Sequence, residues 1–424
     1  MINLYNDLDL NKHLMNGYDL SEVYSSAFIS NIKEYSASGI KEINSVFKGT
    51  SLRIFNKNEK SGKMILQNED AENGFSKQYM QTIQVPYTDL PVKKIKSSEI
   101  ILPEIIVDDT DDLFQKLNKI ALEYGIHLKK ISTNRFVSIY KITNSYGVEG
   151  YGYKLLNCAN LYLTDKENNY KEYSKVFGNG SYYYTVKNMF PEISFDNNNT
   201  EIDKHEKCVL LSCHAVSEIV YLLLLFLNEQ TPFAGRNFVT ENKDSLFDIF
   251  NISPLINIIE NSEKNEIIGG NVDGEGSEKK TTYIVKNGRL KNLISSYATT
   301  GKDNNTASSY RMEYKALPQC KPTKIWVANG ERSCNEIIAE KETIAVVDSF
   351  HGMYESINPL TLEFSAVIRA KVYKYGKNIG FKSLKIKSNL LKILSSVTEL
   401  SIDMSYIGDG SIIVPAMLCD FDNI

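Results

Sequence analysis

"GGNVDGEGSEKKTTYIVKNGRL", residues 269–290, places four glycines and the acids Asp273, Glu275 and Glu278 ahead of a run that alternates apolar and polar. Three readings compete: a cation loop, a phosphate cradle, or a turn that feeds strands. Asn271, Asp273, Glu275 and Gly276 fall at positions one, three, five and six of an EF-hand calcium loop. Position twelve needs a bidentate glutamate, and Thr282 stands there. A strand-like run also follows where that motif demands a helix. A phosphate cradle fails for the same reason, because no helix N-terminus supplies aligned N–H donors. The stretch therefore reads as a glycine-rich turn whose acids either face solvent or position something nearby. Asn287-Gly288, between "TTYIVK" and "RLKNLIS", suits a type I′ hairpin turn, which requires positive φ at both central residues.

Upstream of that turn, "CVLLS" predicts a buried strand and "AVSEIVYLLLLFLN" a helix. Downstream, Ser333 and Glu336 form a capping box ahead of a short helix. "ETIAVVDSF" predicts a strand, "TLEFSAVIRAKVYKYGKNIGFKSLKI" two strands around a Gly376–Gly380 turn, and "SNLLKILSSV" a helix. The first 200 residues mix strands with few helices. Leu20, Val23, Tyr24, Ala27, Phe28 and Ile32 have helical spacing and predict a helix. "GIKEINSVFKGTSLRIF" reads as a hairpin or meander. A helix is predicted from Asp109, its cap, to Tyr124, with Leu113, Leu117, Ile120, Ala121 and Tyr124 buried and Gly125 as its stop. "HLKKISTNRFVSIYKIT" and "YGYKLLNCANLYL" predict strands around a turn at Asn144–Gly147, and "SYYYTV" a further strand. The polar run "SFDNNNTEIDKHEK" (194–207) is the candidate linker. The fold class expected is α+β: an N-terminal mixed α/β domain over 1–200, then a β-rich domain of antiparallel sheets with a few helices over 201–424.

The 424 residues carry a net charge of −4 with arginine at only seven positions, which argues against nucleic acid as a partner. Lysine patches (Lys93, Lys94, Lys96; Lys382, Lys385, Lys387) read as solvated faces. No basic start followed by an apolar core opens the chain, and the longest apolar run, Ile219 to Leu227, is far short of the roughly 20 residues needed to span a bilayer. Six scattered cysteines fit reduced thiols in the cytoplasm. Gly301-Lys302 fails as a P-loop, since Ser296 replaces the first glycine and Asp303 the Ser/Thr. His205, Cys208, Cys213 and His214 suggest zinc, but Cys208 and Cys213 bracket a strand and would lie about 16 Å apart. His214 and Glu218 share a helix face and make at most half a site. No nucleophile arrangement can be singled out from spacing.

The order of segments carries a resemblance. "IGGNVDGEGSEKKTTYIVKNGRLKNLISS" resembles the D-D-E-G, strand, N-G segment of the TldD/PmbA family. "EVY", "GIKEI" and "GTSLRIF" are similar to its N-terminal strands, and "ITNSYGVE" to its N-S-x-G turn. "TTGKDNNTASSYR" stands where the family has a Gly- and Thr/Ser-rich segment ending in arginine, here Arg311. "IWVANGERSCNEIIAEKETIAVVDSFHGM" and "NPLTLEFSAVIRAKVYKYGKNIG" follow in the family's order, and "GDGSIIVPAMLCDF" resembles its closing strand. For residues 20–37 the resemblance implies strands, against the helix predicted from spacing.

TldD-type members carry H-E-x-x-x-H on the helix opening the second domain and a late cysteine, and bind catalytic zinc; PmbA-type (TldE) partners lack these ligands. Here the helix reads "CHAVSEIVYLLLLFLNEQ", with His214 alone. Cys419 follows the "VP" of the closing strand, whereas the family's ligand precedes it, where this chain has "YIGDGS". The resemblance thus implies a PmbA/TldE-like subunit with no catalytic, metal or cofactor residue of its own. A TldD-like partner would supply zinc, and an extended peptide, unfolded or leader-type, would be the substrate. Asp273, Glu275, Arg311 and Trp326 are the candidate chamber or interface residues. Trp326 either anchors the partner interface or fills the core on "KIWVAN". The rival reading is a peptide-binding scaffold of a biosynthetic complex without protease activity.

Overall fold

The computed structural model describes residues 20–69, 80–95, 111–178, 180–190, 193, 208–229, 238–242, 245–302 and 305–420. The candidate linker 194–207, with His205, and the cap Asp109 lie outside these residues. Contacts divide the chain into two units. One comprises Met1–Phe195, Glu266–Lys279 and Ser296–Gln319; the other comprises Asp196–Asn265, Lys280–Ser295 and Cys320–Ile424. The opening stretch is thereby cut at Lys279: its turn belongs to the first unit and its hairpin to the second.

In the first unit β1 (Ser21–Ser36) and β2 (Gly39–Asn56) form a long antiparallel hairpin. β3 (Ser61–Glu69) and β4 (Met80–Pro86) extend it beyond β2. β5 (His127–Asn144), β6 (Glu149–Thr164) and β7 (Tyr170–Phe177) extend it beyond β1, again antiparallel. The helix expected from spacing over 20–32 is therefore a strand, as the resemblance implied. The reason is burial on both faces: every residue from Ser21 to Ala27 is buried, so polarity does not alternate and the apolar positions mimic a helical period.

Helix α1 (Leu113–Glu123) buries Leu113, Leu117 and Ala121 as expected. Tyr124 instead is exposed, stacking on Phe190 at 6.4 Å, and Ile126 takes the buried place. "SYYYTV" is corrected too: it forms helix α2 (Tyr182–Lys187), started by Ser181, whose hydroxyl accepts from the Tyr184 N–H. Tyr182 and Val186, four apart, face the core, and that packing overrides aromatic strand propensity.

The first insert adds β10 (Ile268–Gly270) to the edge of β6. The second carries β13 (Ser309–Tyr310) and ends in β14 (Gln319–Cys320). Val272 and Tyr314 from these inserts pack with Tyr24, Phe55, Met64 and Ile142. Val272 comes so close to β6 that a Cβ on Gly150 would lie 2.4 Å from its methyl.

In the second unit β8 (Cys208–Leu211) lies between β16 (Thr343–His351), parallel, and β20 (Ile412–Asp420), antiparallel. β17 (Glu363–Lys374) and β18 (Lys377–Asn389) continue beyond β16, and β19 (Val397–Ile407) pairs with β20. β15 (Ile325–Val327) runs parallel to β20 and antiparallel to β9 (Ile258–Glu260), which pairs with β11 (Thr282–Lys286). The β-rich α+β class holds, and the β8–β16 and β15–β20 ladders are parallel among the antiparallel ones. The hairpin from β11 to β12 (Arg289–Leu290) turns at Asn287 and Gly288, with φ of 49° and 71°, as the I′ signal requires. The β17–β18 turn is tighter than expected: Tyr375 and Gly376 make it, and Gly380 lies within β18 at a bulge. Helix α3 (Cys213–Phe226), capped by Ser212, buries Ala215, Val216, Ile219, Val220 and Leu222–Leu224 against β16 and β20. Helix α4 (Cys334–Glu340) opens with the Ser333/Glu336 capping box. No helix among the described residues is long and apolar enough to cross a membrane, and no cysteine is in a disulfide.

Candidate functional site

Glu22 projects from β1 into the first unit with no exposed surface. Arg53 on β2 grips it as a fork, Nε to Oε1 at 2.9 Å and Nη2 to Oε2 at 2.7 Å. Arg311, just past β13, donates from Nη2 to the same Oε1. Its guanidinium also lies over the Tyr24 ring at 4.4 Å, and Tyr24 stacks on Tyr140 at 5.3 Å. The Tyr140 hydroxyl donates to the Val272 carbonyl at 2.7 Å, joining β5 to the glycine-rich turn.

Asp273 organises that turn. Its Oδ1 accepts from the Glu275 and Ser277 N–H groups, both at 2.9 Å, and its Oδ2 from the Ser309 N–H at 3.1 Å. Gly274 N–H donates to the Ser309 carbonyl at 2.9 Å. Both acids are buried, so neither faces solvent. Three of the four sequence candidates, Asp273, Glu275 and Arg311, thus meet in one cluster. Trp326 does not join it: it lies half-buried on β15 in the second unit, while Ile325 and Val327 on either side are fully buried.

The electrostatics follow from burial. Desolvation would raise Glu22, but Arg311 and Arg53 outweigh it and hold the carboxyl below its ordinary value. Burial, with Glu275 beside it, pushes Asp273 up against the pull of three N–H donors. Burial raises Glu275 as well, opposed by Arg53, the Ala298 N–H and Arg311. Desolvation, then Arg53, lowers Arg311. Sequence reasoning missed Glu22 and Arg53. Their signal was an acid and a base set among apolar strand residues, in "LSEVY" and "SLRIF".

A second constellation lies at the start of α3. His214 Nε2 is 3.9 Å from Glu218 Oε1, and Glu218 Oε2 accepts from the Phe350 N–H at 2.8 Å. His351, from the "HG" segment, has its Nε2 3.1 Å from Ser349 Oγ. Burial raises Glu218, with the Phe350 N–H, His214 and His351 opposing. Cys419 is buried at the end of β20, its thiol pushed up to about 12 by burial. Among the described residues no three His, Cys, Asp or Glu side chains are grouped to hold a metal ion.

Residues 206–423, just over half of the chain, match the family described as PmbA/TldA metallopeptidase C-terminal domain. An uncharacterised protein of Methanocaldococcus jannaschii is 25% identical over 131 residues, a stretch that spans only 30% of each protein. TldE of Thermococcus kodakarensis superposes with a TM-score of 0.73 at 15% identity, over 98% of both chains. A Thermotoga maritima protein described as a candidate modulator of DNA gyrase gives 0.72 at 14% identity, over 99% of both. At such identities the solved structures establish the fold, and the match to the family model establishes kinship: the chain belongs to the TldD/PmbA family of metallopeptidase-like proteins.

Proposed function

We propose that this chain is the PmbA/TldE-like, non-catalytic subunit of a heterodimeric zinc metallopeptidase that trims unfolded or leader-type peptides. The zinc, the general base and the late cysteine belong to a TldD-like partner. The observation that carries this reading is the donor set on α3. A catalytic zinc needs about three protein ligands and an open position for water. His214 is one donor, and Glu218 has one oxygen engaged by a backbone N–H. Cys419 lies in the core, past the point where the family places its ligand. The residues present therefore do not fit a catalytic zinc, and no hydrolytic step is routed through this chain. The overall likeness to TldE supports the same reading.

In this assembly the chain walls the peptide chamber and presents strand edges, whose backbone groups accept extended peptides of varied sequence. The test is co-expression with a TldD-like protein carrying H-E-x-x-x-H. The pair is expected to co-purify, bind zinc through the partner and cleave an unstructured peptide, while this chain by itself holds substoichiometric zinc and cleaves nothing. Stoichiometric zinc on the isolated chain, lost in His214→Ala, would overturn the assignment.

A further inference from the structure

Among the described residues the first unit buries three carboxyl groups, Glu22, Asp273 and Glu275, and two guanidinium groups, Arg53 and Arg311. Fully ionised, the cluster would hold one uncompensated negative charge away from water, which the low-dielectric interior penalises heavily. One bound proton restores neutrality. Glu22 is not its carrier, since it takes three charge-assisted bonds from the two arginines. The choice lies between Asp273 and Glu275, and hydrogen bonding decides it.

Asp273 accepts three backbone N–H bonds, two at one oxygen and one at the other. Such a set favours the carboxylate. Glu275 accepts a single, longer bond, from the Ala298 N–H to Oε2 at 3.3 Å. Arg53 and Arg311 direct their hydrogen bonds to Glu22, and Arg311 leaves Nε and Nη1 without an acceptor rather than turning them to Glu275. The other titratable groups facing the cluster among the described residues are Tyr24 on β1, Tyr140 on β5 and Tyr310 on β13; burial raises Tyr24 and Tyr140 and keeps them neutral.

We propose that Glu275 carries a proton in the folded protein and that this proton fastens the turn 271–279 and the segment 309–311 to the sheet of the first unit. The two acids titrate as a pair, and burial brings that titration towards neutrality. The sign follows from a carboxyl raised by folding. The fold binds more protons than the unfolded chain, so the fastening is strongest at low pH and weakens as pH rises through the pair's titration. The mild-acid side of neutrality is the closed state, and the alkaline side leaves the cluster with its uncompensated charge.

Amide hydrogen exchange of the intact chain, read by mass spectrometry on peptides covering 272–278 and 306–312, tests this at about pH 6 and about pH 9. In the wild type the protection factors of these peptides should fall roughly tenfold or more with rising pH. Glu275→Gln, which copies the protonated acid, should keep them high at both pH values. Asp273→Asn, which replaces an acceptor by a donor among three N–H groups, should lose protection at both. A Glu275→Gln protein that titrates like the wild type overturns the proposal, as does an Asp273→Asn protein that stays protected and pH-independent. Should Glu275→Gln not fold, infrared spectroscopy of the wild type decides. A protonated-carboxyl carbonyl band present at the lower pH and lost at the higher supports the proposal, and no such band at the lower pH refutes it.

Discussion

Removing the Glu22 carboxylate tests the central claim about how the first unit is held together. Glu22→Ala would leave Arg53 and Arg311 buried without their shared acceptor, both guanidinium groups having been directed at it. Breaking a buried ion pair from one side costs about 3–5 kcal/mol, because the surviving charge is left desolvated. For a unit of this size each kcal/mol lowers the melting temperature by about 2–4 °C, so a fall of roughly 6–20 °C is expected. The pH dependence adds a second reading. The arginines hold Glu22 below its ordinary value, so its stabilisation is present above the unfolded carboxyl pKa and is lost as pH falls through the folded one. In Glu22→Ala that acid-side loss should shrink. The assay is thermal and urea unfolding followed with hydrogen exchange of the β1 and β2 peptides, which separates the first unit from the second. A change below about 1 kcal/mol, the range of an exposed pair, would refute the view that these charges are desolvated together.

Other expectations are local. Gly288→Val should break the β11–β12 hairpin, because φ is 71° and a Cβ would sit 2.3 Å from the Ile252 carbonyl oxygen; urea unfolding of the variant checks it. Ser333→Ala removes one side of the α4 capping box and should cost about 1 kcal/mol by the same measurement. Glu218 is raised by burial, so its ionisation opposes folding as pH climbs through the folded value; Glu218→Gln should flatten that part of the second unit's pH–stability profile. Trp326→Ala should abolish co-purification with a TldD-like partner while scarcely moving the melting temperature of the isolated chain, in keeping with a half-buried side chain between two buried ones. A large drop in that temperature would put Trp326 in the core, and persistent pairing would take it out of the interface.

What could be read from residues alone was what adjacent residues decide. Asn287-Gly288 and the Ser333/Glu336 box each carry their cause within four positions, and each stands where the pattern puts it. The first strand was misread because the usual cue is polarity alternation, and a strand covered on both faces has none. "SYYYTV" failed for the opposite reason: one capping serine and two core contacts outweighed its composition. Asp273, Glu275 and Arg311 were legible as candidates, but their meeting with Glu22 and Arg53 was not, since Arg311 and Glu22 are 289 residues apart and no local period links them.

The opening turn shows how the two kinds of information combine. Its near-calcium spacing arises because Asp273 needs the N–H groups two and four residues ahead, and small residues let the chain curl back to supply them. The same demand explains the glycines around it. Gly274 lies against the 309–311 backbone, where a Cβ would come 3.1 Å from the Ser309 carbonyl oxygen, and Gly276 adopts a φ of 89°. A metal loop would expose its oxygens to an ion; here each Asp273 oxygen already has a backbone donor. Acid spacing in such a turn therefore reports which amides must be gathered, and only the strand packed against it tells whether the gathered carboxylate faces a cation, water or another buried charge.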